Sequence, residues 1–219
     1  PLTSLRGSPE TLLDAPDLAS DRRTEFVGIM HAQVERMQTL VADLLTLSRL
    51  EAHPGPDEAE PIDPETLLKP LERRFSETAG KKGIRLAVIG SEEGAQLQVL
   101  GDAEALDQAL ANLVDNAFKY TPEGGEVAVT LEERATTGEV AIHVRDSGIG
   151  IPPGDIPRLT ERFYRVDKGR SRAVGGTGLG LSIVKHILHN HGGRLEVTSE
   201  QGRGSTFTAI LPTMPEMGA

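Results

Sequence analysis

At 219 residues the chain has room for one large domain or two small ones. Hydrophobic residues make up 37% and aromatics only 3%, and the formal net charge of −10 argues against a nucleic-acid binder working through bulk positive charge. The absence of cysteine excludes disulfides, Cys-based zinc sites and thiol catalysis, and no apolar run approaches the roughly 18 residues of a membrane helix.

The chain opens at Pro1 in helix-like residues with no start signal, as expected of part of a longer protein. Residues 1–13 carry Leu2, Leu5, Leu12 and Leu13, compatible with one side of a helix. Asp14 to Ser20, with Pro16, reads as a turn. From Asp21 to Ala52 the pattern is strongly helical: Met30, Val34, Met37, Val41 and Leu44 recur at spacings of 4, 3, 4 and 3. Leu40, Leu45 and Leu47 widen that stripe, and Phe26 extends it backwards. So long a stripe predicts a helical hairpin that pairs with a second copy as a homodimeric four-helix bundle. A long core helix within a monomer is the plainer alternative.

His53 to Pro61 is acidic and proline-rich, a linker. Asp63-Pro64 then starts a helix, a capping carboxylate before proline at the first helical position, running to about Ala79. Ile84–Ile89 and Leu97–Leu100 read as strands, and Asp102 caps a helix over Ala103–Tyr120. Val127, Val129 and Leu131 alternate as in a half-buried strand, as do Val140, Ile142 and Val144. Ile151 to Gly176 is a long polar loop of the kind that is functional or mobile. A helix over Leu179–Asn190 and strands over Leu195–Thr198 and Thr206–Leu211 follow. The resulting expectation is an α+β chain in four parts: hairpin 1–52, linker 53–61, two-layer α/β sandwich 62–212 and tail 213–219.

Four stretches carry chemistry. The first is the helix over Ala103–Tyr120. Leu106, Leu110, Leu113 and Ala117 form its core stripe, while Asn112, Asn116 and Lys119 share a neighbouring face with Tyr120 at the border. Two neutral amide oxygens and a cation suit a hard metal ion and a phosphate. A solvated face is the bland reading, weakened because asparagine is a poor helix former. Asp146-Ser147-Gly148-Ile149-Gly150, at a strand end, offers a carboxylate to a ligand amino group while glycines let the backbone approach, or it is an ordinary Asp-Gly turn. The third stretch is Arg162-Phe163-Tyr164-Arg165. The fourth is Gly175-Gly176-Thr177-Gly178-Leu179-Gly180, with four glycines in six residues opening a helix, a site for an anion or simply a flexible loop. It has neither the P-loop nor the Rossmann spacing.

In this order and spacing, the four stretches resemble the N, G1, F and G2 boxes of the sensor histidine kinases, over residues 61–212. The helical hairpin resembles that family's dimerisation and phosphotransfer domain, and the phosphate-regulon sensors are a similar subgroup. Pro1-Leu2-Thr3-Ser4-Leu5-Arg6-Gly7 is similar to the segment after the acceptor histidine in the family pattern His-Glu-Leu-Arg-Thr-Pro-Leu. The resemblance implies an ATP-dependent protein-histidine kinase that uses ATP and Mg²⁺. Asn112 would ligate Mg²⁺, with Asn116 supporting metal and phosphates. Lys119 and Arg165 would stabilise phosphates, Tyr120 would pack near the adenine, and Asp146 would accept its amino group. Gly148, Ile149 and Gly150 would admit the ring, and Thr206 would lie near it. Residues 151–176 would form the ATP lid, with Phe163 anchoring it against the domain. Gly176, Thr177, Gly178, Leu179 and Gly180 would wrap the phosphates.

The resemblance also implies a homodimer and a response regulator as partner. It implies a cytoplasmic location for this portion and a parent anchored in the bacterial inner membrane. The acceptor histidine and its acid would fall upstream of Pro1, so the chain is not expected to phosphorylate itself. None of its six histidines replaces them: His31 is followed by Ala32-Gln33-Val34, and the spacing of His186, His189 and His191 does not put all three on one helical face. Two rival readings share some of these elements. One is a related ATPase that hydrolyses ATP to drive a shape change. The other is a dimeric scaffold whose nucleotide site is degenerate.

Overall fold

The computed structural model describes residues 20–56, 58–90, 97–166 and 176–214. The predicted first hairpin helix and the turn after it lie outside the described residues. Helix α1 spans Ser20–Ala52. Strand β1 (Glu60–Ile62) leads to α2 (Pro64–Lys82), β2 (Arg85–Ile89), β3 (Val99–Gly101) and α3 (Ala103–Tyr120). Then come β4 (Glu126–Arg134), β5 (Glu139–Asp146), a 3₁₀ turn (Ile156–Arg158), α4 (Gly180–Asn190), β6 (Arg194–Glu200) and β7 (Gly204–Pro212).

Five strands form one sheet in the order β2-β4-β5-β7-β6. Only β2 and β4 run parallel; the other neighbours are antiparallel. Strands β1 and β3 pair separately, antiparallel. Helices α2, α3 and α4 cover one face of the sheet. Val127, Val129 and Leu131 turn towards them, as their alternation predicts, and meet the Leu106, Leu110 and Leu113 stripe of α3 in the core. Phe75 of α2 stacks on Phe118 of α3 with ring centroids 5.6 Å apart.

The caps behave as their residues dictate. Asp63 accepts a hydrogen bond from the Glu65 N–H, with Pro64 opening α2. Gly83, left-handed at φ 60°, ends that helix three residues beyond the predicted stop. Asp102 accepts from the Glu104 and Ala105 N–H groups at the start of α3. His191, buried, closes the same corner. Its Nε2 accepts from the Asp102 N–H at 3.0 Å and its Nδ1 donates to the Ile187 carbonyl at 2.7 Å.

Helix α1 carries two faces where the sequence stripe suggested one. Val34, Val41 and Leu44 are exposed, at 45, 53 and 40%. Leu47, predicted to widen that stripe, is instead buried in the core cluster, with Leu50 packed against it. The reason is α4, which packs against α1. Asn190 at the end of α4 donates to the Leu50 and His53 carbonyls, pinning the end of α1. Among the described residues no helix is long and apolar enough to cross a membrane.

Candidate nucleotide site

A cavity of about 890 Å³ opens where α3, the end of β5, the loop after it and the start of α4 converge. That is ample for a ligand of several hundred daltons. Asn112, Asn116, Lys119 and Tyr120 line it from α3, and Asp146, Ile149 and Gly150 from the end of β5. Arg165, Gly176, Thr177, Gly178 and Gly180 close the remaining side. Residues from four separate stretches of sequence thus face one space.

Asp146 is buried at the end of β5, and its Oδ1 accepts from the Gly148 N–H at 2.8 Å. Burial raises its carboxyl above the ordinary range, against the hydrogen bonds from Gly148 and Ser205 that favour the charged form. A buried acceptor with one oxygen already engaged by backbone is suited to reading a ligand N–H. At the other end, Asn112 lies beside the start of α4: a Cβ on Gly180 would sit 3.8 Å from its Cγ. Asn112 Nδ2 is buried with no partner. The residue before α4, Leu179, has no side-chain acceptor for the first-turn N–H groups, which leaves them suited to an anion.

Several sequence expectations shift in detail. Gly148 does not line the cavity; a Cβ there would lie 2.4 Å from the Tyr120 carbonyl oxygen. Gly150 has φ 64°, and a Cβ on it would lie 2.0 Å from the Glu200 carbonyl oxygen. Close protein backbone therefore requires both glycines before any ligand does. Thr206 does not line the cavity, whereas its neighbours Ser205 and Phe207 do. Strand alternation sends it to the opposite face of β7, so Ser205 replaces it beside Asp146. Leu179 is fully buried beneath the loop rather than lining the cavity.

Phe163 does not anchor the lid by its side chain, the residue being 56% exposed. Its left-handed backbone, φ 63°, brings its N–H to the Gly178 carbonyl at 2.9 Å instead. Such a conformation costs a bulky residue about 1–3 kcal/mol and concentrates at functional sites. The side-chain anchor is Tyr164, whose hydroxyl donates to Asp155 and whose ring lies under Arg158, 4.1 Å away. Lys119 does line the cavity, but it forms an ion pair with Asp115 one turn earlier. Residues 167–175 of the predicted lid, Gly175 included, lie outside the described residues.

Residues of α1 were missed altogether. Arg36, Thr39 and Asp43 line the same cavity. Thr177 Oγ1 donates to Asp43 Oδ2 at 2.6 Å, and Arg36 Nη2 donates to the Gly176 carbonyl at 3.2 Å. Further along α1, Glu51 pairs with Arg162 and lies 3.5 Å from His186 Nε2. Burial, with Arg162 and Lys185 nearby, holds His186 below the ordinary imidazole range. In the sequence Arg36, Leu40, Asp43, Leu47 and Leu50 form a second row at 4, 3, 4 and 3, a spacing that does not say what the row packs against.

Residues 101–215 match the histidine kinase-, DNA gyrase B- and HSP90-like ATPases. The chain belongs to that family. Residues 1–53 match the His Kinase A (phospho-acceptor) domain, so the helical region and the ATPase domain are those of histidine kinases. The chain is 41% identical over 210 residues to the phosphate regulon sensor protein PhoR of Pseudomonas aeruginosa, covering 95% of this chain and 46% of that protein. To the sensor-like histidine kinase SenX3 of Mycolicibacterium smegmatis it is 38% identical over 216 residues, covering 99% and 55% respectively. The chain therefore spans about half the length of these relatives. Among solved structures, full-length ShkA in complex with AMPPNP superposes with a TM-score of 0.75 at 30% identity, covering 99% of this chain and 44% of that one. The mycobacterial sensor histidine kinase MprB gives 0.59 at 32%, covering 72% and 99%.

Proposed function

We propose that this chain is the kinase portion of a two-component sensor histidine kinase. It binds ATP in the cavity below α1 and presents the terminal phosphate to a histidine, from which the phosphoryl group passes to a response-regulator aspartate. The observation that carries this reading is the convergence of Asn112, Asp146 and the Gly176–Gly180 loop on one cavity bordered by a helix of the phospho-acceptor domain. Asp146 would accept the adenine amino group, and the α4 N-terminus and Arg165 would receive phosphate. In the transfer, an imidazole nitrogen attacks the terminal phosphorus, the bond to the bridging oxygen breaks, and ADP leaves. Positioning and charge neutralisation supply most of the acceleration in such a reaction.

Mg²⁺ fits the donor set. Asn112, half-buried, lines the cavity, and Asn116 follows one turn later on the same wall, so a metal would take their side-chain amide oxygens. Among the described residues no cluster of His, Asp and Glu could hold a metal alone, so the amide oxygens would act together with nucleotide phosphates. Bound there, the ion would neutralise phosphate charge.

The exposed Val34, Val41 and Leu44 on α1 support a homodimer through the helical region. On the same reading this portion works in the cytoplasm and its parent is anchored in the bacterial inner membrane. No histidine here stands in the family's acceptor context, so the chain by itself should bind ATP without acquiring phosphate. Incubation with γ-labelled ATP and Mg²⁺ tests both parts. Binding with slow turnover and no acid-labile label is expected. Label on this chain would overturn the acceptor part, and failure to bind ATP would overturn the whole reading.

A further inference from the structure

Arg36 of α1 and Arg165 of the loop converge on one atom. Arg36 Nη2 and Arg165 Nη1 both donate to the Gly176 carbonyl oxygen, at 3.2 and 2.8 Å. A carbonyl oxygen can accept two bonds, so both guanidinium groups reach one point of the loop that closes the cavity. Arg36 Nε is buried and has no partner. A guanidinium has five donors, and a buried donor left empty costs free energy. Of the carboxylates α1 contributes to the lining, Asp43 accepts from Thr177 and Glu35 lies 3.6 Å from His31. Lys119, the other cation of the cavity wall, is paired with Asp115. The arginine pair stands where the glycine loop enters α4, among N–H groups suited to an anion. An anion beside Arg36 would meet its empty donor.

We propose that Arg36 is a nucleotide-contacting residue, supplied by α1 to the ATP cavity of its own chain, and that with Arg165 it clasps the terminal phosphate. The inference rests on the ATP reading above. It makes α1 part of the binding site rather than only a dimerisation element. It also makes the clasp selective, because ADP lacks the group that Arg36 would hold. Charge-assisted bonds from a guanidinium to phosphate are among the stronger polar contacts.

The test is calorimetric titration of the whole chain with Mg-ATP and Mg-ADP, for the unaltered protein, Arg36→Ala, Arg36→Lys and Asp43→Ala. Arg36→Ala should weaken ATP about tenfold while ADP stays within about twofold. Arg36→Lys should recover part of the loss. Asp43→Ala removes a contact between α1 and the loop without removing a cation, so it should shift both nucleotides alike. Equal losses of ATP and ADP in Arg36→Ala, matching Asp43→Ala, would show that Arg36 acts only by holding the loop and would overturn the inference. An unchanged ATP-to-ADP ratio would do the same while leaving the ATP reading intact. If the unaltered chain binds neither nucleotide, both fall.

Discussion

Asp43 on α1 accepts a 2.6 Å hydrogen bond from Thr177 in the glycine-rich loop, across 134 residues of sequence. The same hydroxyl accepts from the Leu179 N–H at 3.3 Å, so one threonine links α1 to the start of α4. A helix expected to serve dimerisation and phosphotransfer therefore also helps set the shape of the nucleotide loop. Asp43→Ala, Thr177→Val and the double variant should give a coupling of roughly 1 kcal/mol in thermal or urea melts. Additive effects would mean that the bond contributes nothing to stability.

Asn112 should separate binding from folding. Its Nδ2 is buried and unpartnered, so Asn112→Ala removes an unsatisfied group and should change stability by no more than about 1 kcal/mol. Mg-dependent affinity for ATP should fall at least about tenfold. Unchanged Mg-ATP affinity by calorimetry would remove Asn112 from the metal site.

The Asp146 carboxyl provides a pH test. Burial raises its pKa from the ordinary 3.8, so the fold binds this proton more tightly than the unfolded chain does. Its contribution to stability is present below the unfolded value and is lost as pH rises through the folded one. Asp146→Asn removes the cost of the buried charge, so the variant should melt higher than the unaltered chain at pH 7. The gap should close towards pH 4. The same change should abolish any preference for ATP over ITP, because the group that reads the purine amino position is altered. A melting gap independent of pH would show that the charge is not its source.

His191 holds the corner between α3 and α4 through the Asp102 N–H and the Ile187 carbonyl. His191→Ala leaves a cavity and two unpaired backbone groups. It should cost about 2–3 kcal/mol and lower Tm by roughly 5–10 °C. ATP affinity measured well below the new Tm should change little, since His191 does not line the cavity.

How much was legible varies with the range of the interaction. Asp63-Pro64 and Asp102 announced two helix starts, and the spacing of Leu106, Leu110, Leu113 and Ala117 announced the core face of α3, because both depend on neighbours a turn away. Thr206 was misread because the motif does not say which way a strand's alternation points; the pairing of β7 with β5 does. For Phe163 the resemblance implied a side-chain anchor, whereas its backbone angle turns the contact over to the main chain.

The sequence by itself determined α1 to α4, the strands other than β1 and the four polar stretches around the cavity, since local periodicity, caps and glycine patterns are written in consecutive residues. Only the tertiary structure decided that α1 closes the site. Arg36 and Asp43 have the same spacing as any polar residues on a long helix, and nothing within α1 distinguishes a solvated face from one docked on α4. The distinction arises from contacts with residues more than 130 positions away, which no local pattern encodes.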